Sequence, residues 1–330
     1  MNLTKKQIDD LNLELTLEIV PEDYAEEVRK ILAERKRTAE FKGFRKGMVP
    51  ASLIKRIYGD QALSDAVNNV ITTSLDNYIS ENKLRLLGEP LGSEKQPEIE
   101  WADGNSFTFI FDAALSPEVN VEVEAADEVF KYNITSTAKE KAAMVENIKK
   151  YYEDRKEEAK SDEEIEKDIT ERLKEEHRQE AEWRLGKDIR DFYVNKAGIK
   201  LPEEFLKRWL LAANQGKVSQ EDIDKDFPGF CEDFKWQLVR GHLMEKFGFK
   251  VEQDDLYEAA RAYVTYQYAM YGIGNVPDDM AAEAVTNVLK DRRQLERIHE
   301  QVEDRKVLDK IKETISIKDK KISSEKFREL

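Results

Sequence analysis

Gly43-Phe44-Arg45-Lys46-Gly47-Met48-Val49-Pro50 is the stretch on which the fold turns. Glycine reaches positive φ at little steric cost, so the Gly43/Gly47 pair predicts a tight tip. The pattern on both sides is helical. Upstream, Pro21 suits a first helical position, Glu22 and Asp23 suit its first turn, and Tyr24, Val28, Ile31 and Leu32 form a stripe that runs to about Ala39. Downstream, Pro50 opens a run with Leu53, Ile54 and Ile57 at helical spacing, which Tyr58-Gly59 is expected to break. A third run over 60–82 places Leu63, Val67, Val70, Ile71, Leu75 and Ile79 on one face. Further out, Leu11, Leu13, Leu15, Leu17 and Ile19 alternate with Asn12, Glu14, Thr16 and Glu18, the signature of a half-buried antiparallel strand. Residues 107–115 repeat it, with Phe107, Phe109, Phe111, Ala113 and Leu115 inward. Antiparallel strands framing a helical hairpin predict a small α+β domain over 1–118.

The tip is chemically distinct from its surroundings. Phe44 has no apolar periodic neighbour, so it either tucks back into the fold or is presented to a partner. Arg45 and Lys46 are suited to phosphate or carboxylate, and a plain solvated basic turn is the alternative. Between Arg29 and Arg56 ten cations stand against two acids, a local +8 in a chain of net charge −15, which leaves −23 on the remainder. One basic element on an acidic body suits docking to a single polyanionic surface and argues against general DNA binding.

Bulk properties narrow the class. The 330 residues, 37% charged and 40% hydrophobic, predict a solvent-laced, helix-rich protein of two domains. Cys231 is the single cysteine, so an intrachain disulfide is excluded and nothing points to an oxidising compartment. The N-terminal Met1–Lys6 leads into a polar strand pattern without a signal-peptide core, and no apolar run approaches a membrane span, so a cytoplasmic location is expected.

After Pro117 the acidic, weakly patterned 119–136 stretch is expected to be an extended linker, with Val129–Ile134 as one extended segment. From 137 to 330 nearly everything reads helical. Ser161 and Glu164 form a capping box before Ile165, Ile169 and Leu173; Gly198 stops a helix and Pro202 starts the next. Further helices are expected over about 219–246, 252–272, 277–303 and 304–313, then a strand-like 315–317 and a capped turn at 323–327.

Catalytic chemistry is not legible. His177, His242 and His299 are widely separated, and no metal-ligand spacing, phosphate-cradling glycine loop or nucleophile elbow occurs, so neither metal nor cofactor is expected. Tyr263, Tyr266, Tyr268, Met270, Tyr271 and Met280 lie close together around Gly272-Ile273-Gly274. Such residues give an adaptable contact surface for varied apolar sequences, or a helix packing seam with hydroxyls at its rim.

At Gly43–Pro50, followed by Ile54, Tyr58-Gly59, Leu87-Gly88-Glu89-Pro90 and the Phe107–Leu115 strand, the chain resembles trigger factor, the bacterial ribosome-associated chaperone. Leu201–Leu211, Asp233–Trp236 and Tyr271–Asp279 extend the resemblance to about nine-tenths of the chain, in a Bacteroidetes-like form. The resemblance implies an N-terminal ribosome-binding domain and a mostly α-helical C-terminal body with arms, together an elongated, open cradle. It implies docking on the large ribosomal subunit at the tunnel exit, on ribosomal protein and rRNA, through Phe44, Arg45 and Lys46, with Gly43 and Gly47 shaping the tip. It further implies ATP-independent holding of nascent or unfolded polypeptides, for which Tyr266, Met270 and Tyr271 are the candidates. A homodimer off the ribosome is left open. The family usually carries an FKBP-like prolyl isomerase domain, yet only the 24 residues of Thr137–Lys160 stand at its place. Such a domain needs on the order of a hundred residues, so isomerase activity is expected to be absent. The competing readings are a prolyl isomerase, an extracytoplasmic helical chaperone and a non-ribosomal helical scaffold.

Overall fold

The structure is a computed structural model, described over residues 1–155, 161–273 and 277–330. Residues 156–160 of the expected isomerase gap and 274–276 of the Tyr271–Asp279 segment lie outside the described residues. The chain begins with β1 (Asn2–Gln7), β2 (Asn12–Ile19), α1 (Pro21–Thr38), α2 (Ala51–Glu81), β3 (Leu91–Gly92) and β4 (Phe107–Ala114). It continues through β5 (Glu128–Thr135), α3 (Ala138–Arg155), α4 (Asp162–Ala197), α5 (Glu203–Ala213) and α6 (Gln220–Phe247). The last elements are α7 (Gln253–Met270), α8 (Asp278–Lys290), α9 (Arg292–Thr314), β6 (Ser316–Ser323) and α10 (Ser324–Phe327). Two compact units result, one from Met1–Glu118 with Lys200–Phe230, the other from Val119–Ile199 with Cys231–Leu330.

The first unit holds an antiparallel sheet in the order β1-β2-β4-β3. Alternation sets its register: Leu13, Leu15, Leu17 and Ile19 stand opposite Ala113, Phe111, Phe109 and Phe107. On that face Leu17, Ile19, Phe107 and Phe109 pack with Tyr24 and Val28 of α1 and with Ala62, Leu63, Ala66 and Val67 of α2. The Tyr24 hydroxyl, at the bottom of this core, donates to Asn105 O at 2.9 Å and accepts from the Gly104 amide at 3.0 Å.

The helix expected to break at Tyr58-Gly59 is instead one continuous α2. A mid-helix glycine costs about 1 kcal/mol relative to alanine. Buried Ile54, one turn before it, contributes about 1.5–3 kcal/mol if its side chain leaves water completely, so packing overrides the local preference. Residues 200–230, expected within the 137–330 body, pack with the first unit. The indole of Trp209 on α5 lies against Gly88, and Arg208 donates to Asp112 at 2.8 Å and to Gly92 O at 3.1 Å.

The second unit is organised along α4. The Ser161–Glu164 capping box is present at its start, and Gly198 closes it. Ile165, Ile169, Leu173, His177, Ala181, Leu185, Ile189 and Tyr193 are all buried, at four-residue spacing. On a helix of 3.6 residues per turn such a line drifts by about 40° per step, so one helix meets successive partners along its length. Its first turns pack against Met144, Val145 and Ile148 of α3. Midway, Glu182 pairs with Lys131 of β5. Near its end, Tyr193 donates to Asp127 at 2.8 Å, and Lys196 donates to the same carboxylate at 2.7 Å. Burial pushes the Asp127 carboxyl up, but hydrogen bonds from Lys196, the Glu124 amide and Tyr193 outweigh it and hold it below its ordinary value.

Two expectations for this unit change. The extended segment expected at Val129–Ile134 is β5, and it pairs in parallel with β6 from Glu128↔Ser316 to Thr135↔Ser323. The strand-like 315–317 is therefore the start of a longer strand, whose Lys320 ammonium lies over the rings of Phe130 and Tyr132. The helix break expected at 303/304 falls at Asp291, whose carboxylate caps α9 by accepting from the Gln294 amide at 3.0 Å. Buried Val302 and Val307 carry α9 through the expected break.

Candidate functional site

The tip is built from two successive turns. The Phe44 amide donates to Phe41 O at 3.0 Å and the Met48 amide to Arg45 O at 2.8 Å. Gly43 (φ +95°) and Gly47 (φ +80°) occupy the third position of each, where a positive φ favours glycine. No atom lies within 4 Å of where a Cβ would stand on either, so the requirement is conformational rather than steric. Phe44, Arg45 and Lys46 therefore sit on the joint between the turns. Phe44 is 44% exposed and Met48 71% exposed, so the apolar side of the tip faces outward. Beneath it, Val49 and Ile54 are buried, and Phe41 meets the Tyr58 ring edge-on at 6.4 Å. The Arg35 guanidinium lies 5.7 Å from the same ring. The tip is braced at its base and open at its end.

Charge on the tip falls into two groups. Lys46 stands 3.5 Å from Glu40, and Lys55, on the first turns of α2, stands 2.7 Å from Asp103. The Asp103 carboxylate raises the Lys55 ammonium above its ordinary value. Lys42, Arg45 and Arg56 are exposed and pair with no carboxylate among the described residues.

The tyrosine- and methionine-rich stretch divides between its two readings. Tyr263 and Tyr268 pack against the cluster of Ala260, Val264, Val285, Ile298 and Val302 that joins α7, α8 and α9. Tyr266, Met270 and Tyr271 point away from it, 62%, 69% and 80% exposed, with Met280 also exposed. Between α7 and α8, Tyr257, Arg261, Asp278, Ala281, Ala282 and Val285 line a cavity of about 320 Å³. The tip residues belong to the first unit and this surface to the second. Met48 on the tip and Tyr257 on α7 are also exposed. Met48 has a legible signal, an apolar residue between Gly47 and Pro50 with no helical partner, whereas Tyr257 follows only from how α7 packs.

No group of three or more His, Cys, Asp or Glu among the described residues is placed to hold a metal ion. No helix among them is long and apolar enough to cross a membrane.

Two family models match the chain. Bacterial trigger factor protein (TF) matches residues 1–148, and Probable trigger factor, C-terminal domain, matches residues 181–330. The trigger factor of Citrifermentans bemidjiense is 34% identical over 122 residues, 37% of this chain and 27% of its own length. That of Geobacter sp. M21 is 32% identical over 131 residues, 40% of this chain and 29% of its own. That of Saccharophagus degradans is 29% identical over 150 residues, 46% and 33% respectively. The chain thus spans about a third or less of the length of the curated relatives it matches. A solved structure from work on promiscuous substrate recognition in folding and assembly activities of the trigger factor chaperone superposes with a TM-score of 0.53 at 13% identity. That match covers 94% of this chain and 99% of the other, and it shows a shared fold. With its amino-terminal and carboxy-terminal portions each matched by a trigger factor model, the chain belongs to the trigger factor family.

Proposed function

We propose that this protein is a ribosome-associated, ATP-independent chaperone, docking by its tip beside the nascent-chain exit of the large subunit and holding unfolded polypeptides on its helical portion. Presentation of Phe44, Arg45 and Lys46 on two glycine turns, over a base braced by Phe41 and Tyr58, carries the reading. The guanidinium and ammonium suit rRNA phosphate or a ribosomal protein's carboxylate, and Phe44 with Met48 adds apolar contact. In this reading residues 1–118 bind the ribosome, 119–136 lead out of that domain through β5, and 137–199 with 231–330 supply the chaperone body. Tyr266, Met270 and Tyr271 give it broad, weak contact with apolar sequence. The cytoplasm is its place of work.

Changing Phe44, Arg45 and Lys46 together to alanine is expected to abolish co-sedimentation with ribosomes while the far-ultraviolet circular dichroism spectrum is retained. Co-sedimentation at the wild-type level would remove the docking claim and leave the scaffold reading.

The proposal includes no prolyl isomerase activity. Support comes from the α3–α4 pair: Ile165, Ile169 and Leu173 pack directly on Met144, Val145 and Ile148. Only residues 156–161 stand between the two helices, where the family's isomerase domain is expected. A protease-coupled assay on a proline-containing tetrapeptide is expected to run at the uncatalysed rate; robust turnover refutes this.

A further inference from the structure

We propose that Glu40 and Asp103 are built-in counter-ions of the docking tip, occupying Lys46 and Lys55 until rRNA phosphates replace them, and that they thereby set how tightly the tip docks. The inference rests on the ribosome-docking reading and adds to it a control of affinity.

The geometry divides the tip cations into two sets. Lys46 and Lys55 each lie beside a carboxylate, at 3.5 Å and 2.7 Å, whereas Lys42, Arg45 and Arg56 pair with none among the described residues. All four paired side chains are exposed, and exposed pairs contribute little to folding. Neither the Glu40 nor the Asp103 side chain makes another hydrogen bond or ion pair among the described residues. Opening these pairs therefore disturbs nothing else in the fold. What the two carboxylates do is lower the positive potential where a polyanion would arrive.

Phosphate is the ligand this arrangement fits. Lys42, Arg45, Lys46, Lys55 and Arg56 are spread as exposed cations over the tip and the first turns of α2, matching a repeating polyanion better than one carboxylate. An arriving phosphate must compete with Glu40 for Lys46 and with Asp103 for Lys55. Afterwards each displaced carboxylate stays within a side chain's length of the phosphates and repels them. In water that repulsion weakens binding by about threefold per carboxylate. It also lowers the number of counter-ions released on binding, by about 0.7 in the slope of log affinity against log salt for each charge.

The test is the affinity of the full chain for purified large ribosomal subunits across a potassium chloride series. Glu40→Gln and Asp103→Asn are each expected to tighten binding about threefold, and together about tenfold, because the two pairs share no partner. The salt slope should steepen by about 0.7 for each substitution. Glu26→Gln is the control. Glu26 pairs with Lys30 at 3.3 Å but lies about 18 Å of helix before the end of α1, beyond the Debye length, so affinity should not change. Unchanged or weaker binding by the tip variants overturns the proposal. Tightening with an unaltered salt slope also overturns it, since the cations would then face protein rather than phosphate, and equal tightening by Glu26→Gln does so by showing a bulk charge effect. The triple-alanine tip separates the two levels. If it still binds, docking and this proposal fall together; if it fails to bind while Glu40 and Asp103 have no effect, the proposal falls alone.

Discussion

Asp304→Ala is expected to destabilise the second unit by about 3–5 kcal/mol. Asp304 on α9 accepts from Arg190 on α4 at 2.7 Å, from the Trp236 indole on α6 at 2.8 Å and from Arg240 on α6 at 3.1 Å. Three helices therefore converge on one carboxylate. Arg240 is buried, and its Nε makes no hydrogen bond, although it lies 3.2 Å from Glu303. Removing Asp304 leaves this guanidinium with Glu303 alone and also leaves the Trp236 N–H without its acceptor. Loss of one partner of a buried pair costs far more than the pair itself contributes. Asp304→Asn keeps the volume and one acceptor and should cost roughly half as much. Because the chain has two units, a single melting curve is a poor gauge, and amide hydrogen exchange resolved on α4, α6 and α9 is the measurement. Protection in those helices that falls by less than about tenfold in Asp304→Ala would contradict the argument.

The second large effect belongs to the first unit. Gly88 has φ +76°, and a Cβ there would stand 2.4 Å from Nε1 and 2.6 Å from Cε2 of Trp209. The indole lies where any side chain at 88 would go. Gly88→Ala is expected to cost about 1–2 kcal/mol for the left-handed backbone alone. Displacing Trp209 adds a comparable loss of packing, for a total of about 3 kcal/mol, and loosens α5 from the strands. A double-mutant cycle isolates the contact. In a Trp209→Ala background, Gly88→Ala should cost only the backbone part. Equal costs in both backgrounds would show that the indole does not depend on the glycine.

Much of this was legible in the residues, for reasons the structure makes plain. Alternation in 11–19 and 107–115 fixed the sheet register because one face is buried, so a slip by one residue would expose every leucine and phenylalanine. The Ser161 cap and the Gly198 stop were readable because they depend on local backbone geometry alone. What escaped reading depends on distant partners. The strand Ser316–Ser323 is mostly polar, and its pairing is decided by Glu128–Thr135, so no local period announces it. Gly59 looks like a break until the core around Leu63 and Ala66 is seen to hold α2 straight through it. At the tip, the glycines and cations were visible, but Glu40 and Asp103 as partners of Lys46 and Lys55 were not. Asp103 comes from a loop that only tertiary folding brings to α2.

Pairing between β5 and β6 has a consequence for the protein's own birth. Each residue of β5 waits for a partner about 190 positions later in the chain. At a synthesis rate of about 5–20 residues per second, that delay is on the order of ten to forty seconds. Throughout it, β5 is already made while the strand that pairs with its edge, and the Lys320 ammonium that lies over the Phe130 and Tyr132 rings, are not. Until β6 emerges, this protein is itself a nascent chain with an open strand edge.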